Sequence, residues 1–321
     1  MYMLTALAIA PTATTVNKAK RMIQYEVAKI ALPPVPSALT LAGPTPNASF
    51  PNSNNYYING NDVYAAGADP ANPNCGGINQ PAIGTVQDVG SGGQTATDVA
   101  TASRNSIITD LNASGVKTAN YTGADACSPG VPDVQNVQNT ANSLYSTVTG
   151  LNSVVQNVQN AATKTYSGAT SLSGATFGTS SSPKVTVVNG DLTLSGTTTG
   201  AGILLVTGAL NFKGNFTFDG VIMVIGSGVF AAGGGGSGNF TGAVIVANIG
   251  GNTTGCSSGS TTNCYATNPI EANLNSPPVL GTPVFNFNGG GGNGLQYSSC
   301  AIDLANSSAS YTVIARREIT Y

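Results

Sequence analysis

The chain has 321 residues, 41% of them hydrophobic, which is enough for a large buried core and excludes a disordered polymer despite 41 Gly and 17 Pro. Net charge is −2, charged residues are 7% against about 25% in average domains, and no basic block occurs, so nucleic-acid binding and polybasic membrane contact are excluded. Histidine is absent, which removes Ser-His-Asp triads, Cys-His pairs and imidazole metal ligands.

Residues 1–31 read as an N-terminal β-hairpin. An apolar run, Met3–Ile9, is followed by a polar stretch through Asn17-Lys18 and then by Arg21–Val27, in which Ile23, Tyr25 and Val27 share one face. Pro33-Pro34 ends the second strand. The first run is too short to span a bilayer and has no basic flank, so an upstream membrane or signal segment is expected outside this sequence.

Residues 32–66 carry two hexapeptides, Ala38-Leu-Thr-Leu-Ala-Gly43 and Asn55-Tyr-Tyr-Ile-Asn-Gly60, whose glycines stand seventeen apart. They match the repeats further on and read as a first solenoid segment. Residues 67–182 read as a loop-rich and helical insertion. Asp98 N-caps a helix at about 98–111. A second helix at about 133–163 starts at Pro132-Asp133, with an apolar seam of Val134, Val137, Ala141, Leu144, Val148, Leu151, Val155 and Val158. Its other faces are Asn, Gln, Ser and Thr without charged pairs, which favours packing on its own chain over a coiled-coil partner.

Residues 183–321 read as the main parallel β-solenoid with a C-terminal strand whose partner is the N-terminal hairpin. Gly190, Gly208 and Gly226 recur every eighteen residues, as do Gly196 with Gly214 and Gly202 with Gly220. Three six-residue sides make one eighteen-residue coil, with glycine at corners that need positive φ or close backbone approach. Side chains alternate along a strand, so Leu192, Leu194, Leu210, Phe212, Phe216 and Phe218 are expected to point into one core. The fold class is mainly β.

Five cysteines occur. Cys256 and Cys264 bracket a polar loop that suits a small disulfide, Cys75 and Cys127 flank another polar segment as a second pair, and Cys300 is left over. Disulfides point to an oxidising compartment. Gly289-Gly-Gly-Gly-Asn-Gly294 lacks the Lys-Ser/Thr of a phosphate cradle and reads as a tight turn. Asn59-Gly-Asn-Asp62 lacks the terminal Glu of a calcium loop and reads as turn chemistry. No catalytic, cofactor or metal residue is assigned.

Val188-Asn-Gly-Asp-Leu-Thr-Leu-Ser-Gly196, Gly202-Ile-Leu-Leu-Val-Thr-Gly208 and Gly214-Asn-Phe-Thr-Phe-Asp-Gly-Val-Ile-Met-Val-Ile-Gly226 resemble PilX-like pilus-assembly proteins of type IV pili, above all acidobacterial members. Ile30-Ala-Leu-Pro-Pro34, Ser37–Gly43, Gly289–Tyr297 and Arg316-Arg-Glu-Ile-Thr-Tyr321 extend the resemblance over most of the chain. It implies a prepilin-like N-terminal helix, which this sequence does not supply, anchoring an envelope or pilus-associated domain with no catalytic residues. The expectation is a non-enzymatic structural protein of the cell envelope or extracellular space. Its expected partners are other pilus or envelope proteins and surface glycans, with no nucleic acid, no cofactor and no membrane contact by the chain itself. A carbohydrate- or surface-binding adhesin outside any pilus is the alternative. An enzyme on a solenoid scaffold is a distant third, because the coils carry only Asp191, Lys213 and Asp219 near their centre.

Overall fold

The computed structural model describes residues 2–9, 20–29, 32–64, 75–87, 96–113, 117–124, 131–141, 143–233, 236–249, 280–287, 293–308 and 311–320. The chain opens with strands β1 (Tyr2–Ile9) and β2 (Lys20–Lys29), paired antiparallel from Tyr2↔Val27 to Ile9↔Lys20. Three short strands follow, β3 (Leu39–Ala42), β4 (Asn47–Ser49) and β5 (Tyr56–Asn59). Next come β6 (Ile83–Val86), helix α1 (Ala96–Ala113), β7 (Tyr121–Thr122), β8 (Val134–Asn136), and helices α2 (Ser143–Ser146) and α3 (Val148–Asn160). Short strands β9 (Lys164–Ser167), β10 (Thr170–Ser173) and β11 (Thr176–Thr179) lead into β12 (Ser182–Asn189), β13 (Leu192–Val206), β14 (Ala209–Gly226), β15 (Val229–Ala232) and β16 (Ser237–Asn248). The described chain closes with β17 (Val284–Phe287), β18 (Asn293–Tyr297), α4 (Ser299–Ser307) and β19 (Tyr311–Thr320).

The fold is mainly β, with one large sheet beside a three-stranded sheet ordered β1-β2-β19. Pairing in the large sheet is almost entirely parallel and runs in three ladders. The first takes β9, β12, the end of β13, the end of β14, then β16, β3, β6 and β8. The second takes β10, the starts of β13 and β14, then β15, β17 and β4. The third takes β11, the middles of β13 and β14, then β16, β18, β5 and β7. From Leu192↔Leu210 to Val206↔Val224, β13 pairs with β14 at an unbroken offset of eighteen, the spacing of the glycines.

The corners explain that spacing. Gly202, Gly220 and Gly242 stack in register with φ of +116°, +131° and +131°. A Cβ at each would overlap the carbonyl oxygen of the level before: Lys184, Gly202 and Gly220 respectively. Between corners the apolar positions alternate inward. Phe212, Phe216, Phe230, Phe240, Phe285 and Phe287 pack with ring centroids 5.0–6.3 Å apart in edge-on and stacked pairs. The chain of rings continues through Phe50 at 5.5 Å from Phe285, Tyr56 at 4.5 Å from Phe287, and Tyr121 at 5.5 Å from Phe50. N-terminal and C-terminal segments therefore share one core.

That shared core places β3, β4 and β5 directly against β16, β17 and β18, as the hexapeptides at 38–60 led one to expect. The reading of 67–182 as loop and helix is corrected: β6, β7 and β8 add levels beyond β5, and β9, β10 and β11 form the opposite end. The helix expected from 133 starts instead at Val148, with Thr147 accepting the Gly150 N–H at 3.0 Å. Residues 134–136 are drawn into the ladder, where Ile83 N–H donates to the Asp133 carbonyl at 3.1 Å. Asp133 caps no helix. Its carboxylate accepts the Ala82 N–H at 3.3 Å and the Gln135 amide at 2.9 Å.

The two ends of the stack differ. Helix α1 lies over β6 and β8 and buries Ala100, Ser103, Ile107 and Leu111, closing the core there. At the other end β9 and β10 leave most side chains exposed or half-exposed. The first ladder is buried on both faces through β3, β6 and residues 185–188, with α4 packed on β12, β13, β14 and β16, α3 on β12 and β13, and α1 on β6. Eight strands in that ladder stand about 34 Å tall at about 4.8 Å per step. The return connection from β8 to β9 has to cover that height, and α3 spans about 20 Å of it. Finally β19 pairs antiparallel with β2, from Tyr311↔Lys29 to Thr320↔Arg21.

Candidate functional site

With the first ladder covered by helices, the outer faces of the second and third ladders are what the stack presents to its surroundings. Alternation along β10, β13 and β14 brings Ser171, Thr193 and Asn211 into one file, and Ser173, Ser195 and Lys213 into the next. On the third ladder Thr197, Asn215 and Ser237 form a file, beside Thr199, Thr217 and Asn239. These side chains are exposed or half-exposed, and the Ser237 hydroxyl donates to the Asn215 amide oxygen at 2.6 Å along its file. The result is a hydroxyl- and amide-bearing surface repeating at about 4.8 Å, with few charges, Lys213 on the second ladder and Asp219 on the third among them. Such a surface offers dense hydrogen bonding with little long-range electrostatic steering.

Beneath it, Leu192, Leu194, Leu210, Phe212, Phe216 and Phe218 are each at most 1% exposed and belong to one hydrophobic cluster. Among the described residues no group of three His, Cys, Asp or Glu side chains could hold a metal ion, and no helix is long and apolar enough to cross a membrane.

A second feature sits where β5 and β18 turn away from the third ladder. Cys75 and Cys300 form a disulfide with Cα atoms 4.6 Å apart. The pairing of Cys75 with Cys127 is thereby corrected, and Cys300 is not left over. Cys127, Cys256 and Cys264 lie outside the described residues, so the expected bridge between Cys256 and Cys264 lies there too. The bridge is seated by polar contacts. The Asp62 carboxylate accepts the Ser299 N–H at 2.8 Å, the Ser299 hydroxyl at 2.6 Å and the Ile78 N–H at 3.0 Å. Gly76 N–H donates to the Ser299 hydroxyl oxygen at 2.8 Å, while the Ser298 hydroxyl donates to the Val63 carbonyl at 2.6 Å and accepts the Ala301 N–H. The carboxylate that a calcium loop would have aimed at an ion is thus spent on protein donors.

The partner of Cys300 follows from stack order, which the spacing of the cysteines along the chain does not carry. Once 38–60 lies on the last C-terminal level, a cysteine shortly after each segment arrives at the same corner. Burial raises the phenol pKa of Tyr297 beside this clasp to about 12, with the negative charges of Asp62 and Asp303 adding to it. Burial likewise holds the Tyr56, Tyr121 and Tyr145 phenols above their ordinary range.

No protein-family model, curated protein or solved structure matches this chain, so the site is argued from its own residues.

Proposed function

We propose that the three ladders are the sides of a parallel β-solenoid with coils of about eighteen residues, and that the chain is a non-enzymatic structural module, pilus-associated or on the cell surface. The observation that carries this reading is the pair of outer faces, built of Ser, Thr and Asn in register with few charges, Lys213 on one face and Asp219 on the other among them. A rigid rod with such faces suits lateral contact with other envelope or pilus subunits, because extended polar complementarity needs a flat, fixed partner. Low charge and the buried Cys75–Cys300 bridge support an address outside the cytoplasm. The resemblance of the coil sequences from Val188 to Gly226 to PilX-like pilus-assembly proteins supports the pilus within that address.

Immunogold labelling of the source cells tests the reading. Gold along pili or over the outer surface is the expected result, and gold confined to the cytoplasm would sink it. A glycan array on the same purified chain separates the adhesin alternative: saturable binding to one glycan class, with labelling away from pili, favours the adhesin.

A further inference from the structure

Neighbouring levels of the stack are also neighbours in sequence at every step but one. The exception is the junction of β16, β17 and β18 with β3, β4 and β5, where Val244 meets Leu39, Phe285 meets Ala48 and Leu295 meets Ile58. The molecule is therefore two chain halves, 2–136 and 164–320, joined by one connector. Among the described residues the other ties between the halves gather at this junction or beside it. They include the pairing of β2 with β19, the Leu32 N–H bond to the Asn306 amide oxygen at 2.9 Å, the Asp62–Ser299 contacts and the Cys75–Cys300 bridge. The connector breaks at Thr147, whose extended backbone separates α2 from α3. On one side the Tyr145 hydroxyl donates to the Pro33 carbonyl at 2.8 Å in the N-terminal half, and on the other α3 packs on β12 and β13 in the C-terminal half.

We infer that the junction is a redox-latched joint through which two copies of this chain exchange halves. With the disulfide formed, the N-terminal half is held on its own C-terminal half. With it reduced, the N-terminal half of one copy seats on β16, β17 and β18 of another, and a turn at Thr147 lets both connectors cross. The ladder bonds and ring pairs that open within each chain form again between the two chains, which is why exchange of identical elements is a low-cost route to dimers. The occupant is a second copy of this chain, since its N-terminal half already carries the register that β16, β17 and β18 pair with. Closing the latch is a thiol–disulfide exchange. The Cys75 thiolate attacks a sulfur of an oxidised low-molecular-weight disulfide such as oxidised glutathione and expels one thiol. The Cys300 thiolate then attacks the Cys75 sulfur and expels the second. Two protein thiols and one disulfide give one protein disulfide and two small thiols.

The test uses the full chain with Cys127→Ser, Cys256→Ser and Cys264→Ser, so that the latch cysteines alone remain. The protein is concentrated in reduced glutathione, reoxidised with oxidised glutathione, alkylated, and read on a non-reducing gel with peptide mapping. The expected result is a covalent dimer whose mapped bridge joins Cys75 of one chain to Cys300 of the other. A further Cys300→Ser change should abolish the covalent band, while light scattering still finds a mass of two chains. Monomer alone at every concentration overturns the inference, and so does a dimer bridged Cys75–Cys75 or Cys300–Cys300. Where the triple variant fails to fold, the same mapping on the unaltered chain decides between these outcomes.

Discussion

Gly220 occupies the middle of a glycine column at φ +131°, with a neighbouring carbonyl where a Cβ would sit. Gly220→Ala combines backbone strain with overpacking against a ladder that cannot move alone, and is expected to cost about 2–4 kcal/mol in a urea titration. A loss under about 0.5 kcal/mol, the usual size for a surface change, would mean that the column does not set the corner. Tyr121 is predicted to respond in the opposite sense. Among the described residues its hydroxyl is buried without a hydrogen-bond partner, packed against Phe50 and Tyr56. Tyr121→Phe removes an unsatisfied polar atom while keeping the ring, so stability should be unchanged or rise by about 1 kcal/mol. The glycine and apolar patterns were legible in sequence because each is a local demand of the backbone. The partners of Asp62 and Cys75 were not, since they lie some 237 and 225 residues away and depend on which level follows which.

Among the elements, helices α1 and α3 show how periodicity reads correctly only where nothing competes for the backbone. The helix expected at 98–111 is α1, although it starts at Ala96 and so holds Asp98 inside its first turn rather than at its N-cap, and the seam from Val148 to Val158 lies within α3. Val134 and Val137 belong to the same seam on paper, but the open edge of β6 offers ladder bonds to residues 134–136 that a helix start does not. The short strands β6 to β11 leave little trace in the sequence for a related reason: segments of two to four residues carry too few alternations to stand out from loop sequence. Because α1 closes one end of the core, Ile107→Ala should loosen that end first, at about 2–4 kcal/mol. Hydrogen exchange is expected to quicken at 83–86 and 134–136 while 203–206 stays protected. Equal loss of protection in all three segments would show that the end levels open only with the whole stack.

For the molecule as a whole, one core of stacked levels makes stability depend on keeping its tyrosines neutral. Tyr56, Tyr121, Tyr145 and Tyr297 all have folded-state phenols raised by burial, Tyr297 to about 12. In the unfolded chain a phenol ionises near 10. The stabilisation from holding these groups neutral is fully present below pH 10 and is lost as pH rises through the folded values, because only the unfolded state gains by releasing the proton. Each such tyrosine then removes on the order of 1.4 kcal/mol per pH unit above 10 until its own folded value is reached. With four acting together and no histidine to titrate nearer neutrality, the chain is expected to hold steady up to about pH 9–10 and then unfold in one steep step. Tyrosinate absorbance followed beside far-ultraviolet circular dichroism checks this. The exposed tyrosines should ionise first, and the buried ones should appear together with the loss of strand signal. Smooth ionisation of all twelve tyrosines near pH 10 with the strand signal intact would show that the core admits water around its phenols, and that the stack is looser than its ring packing indicates.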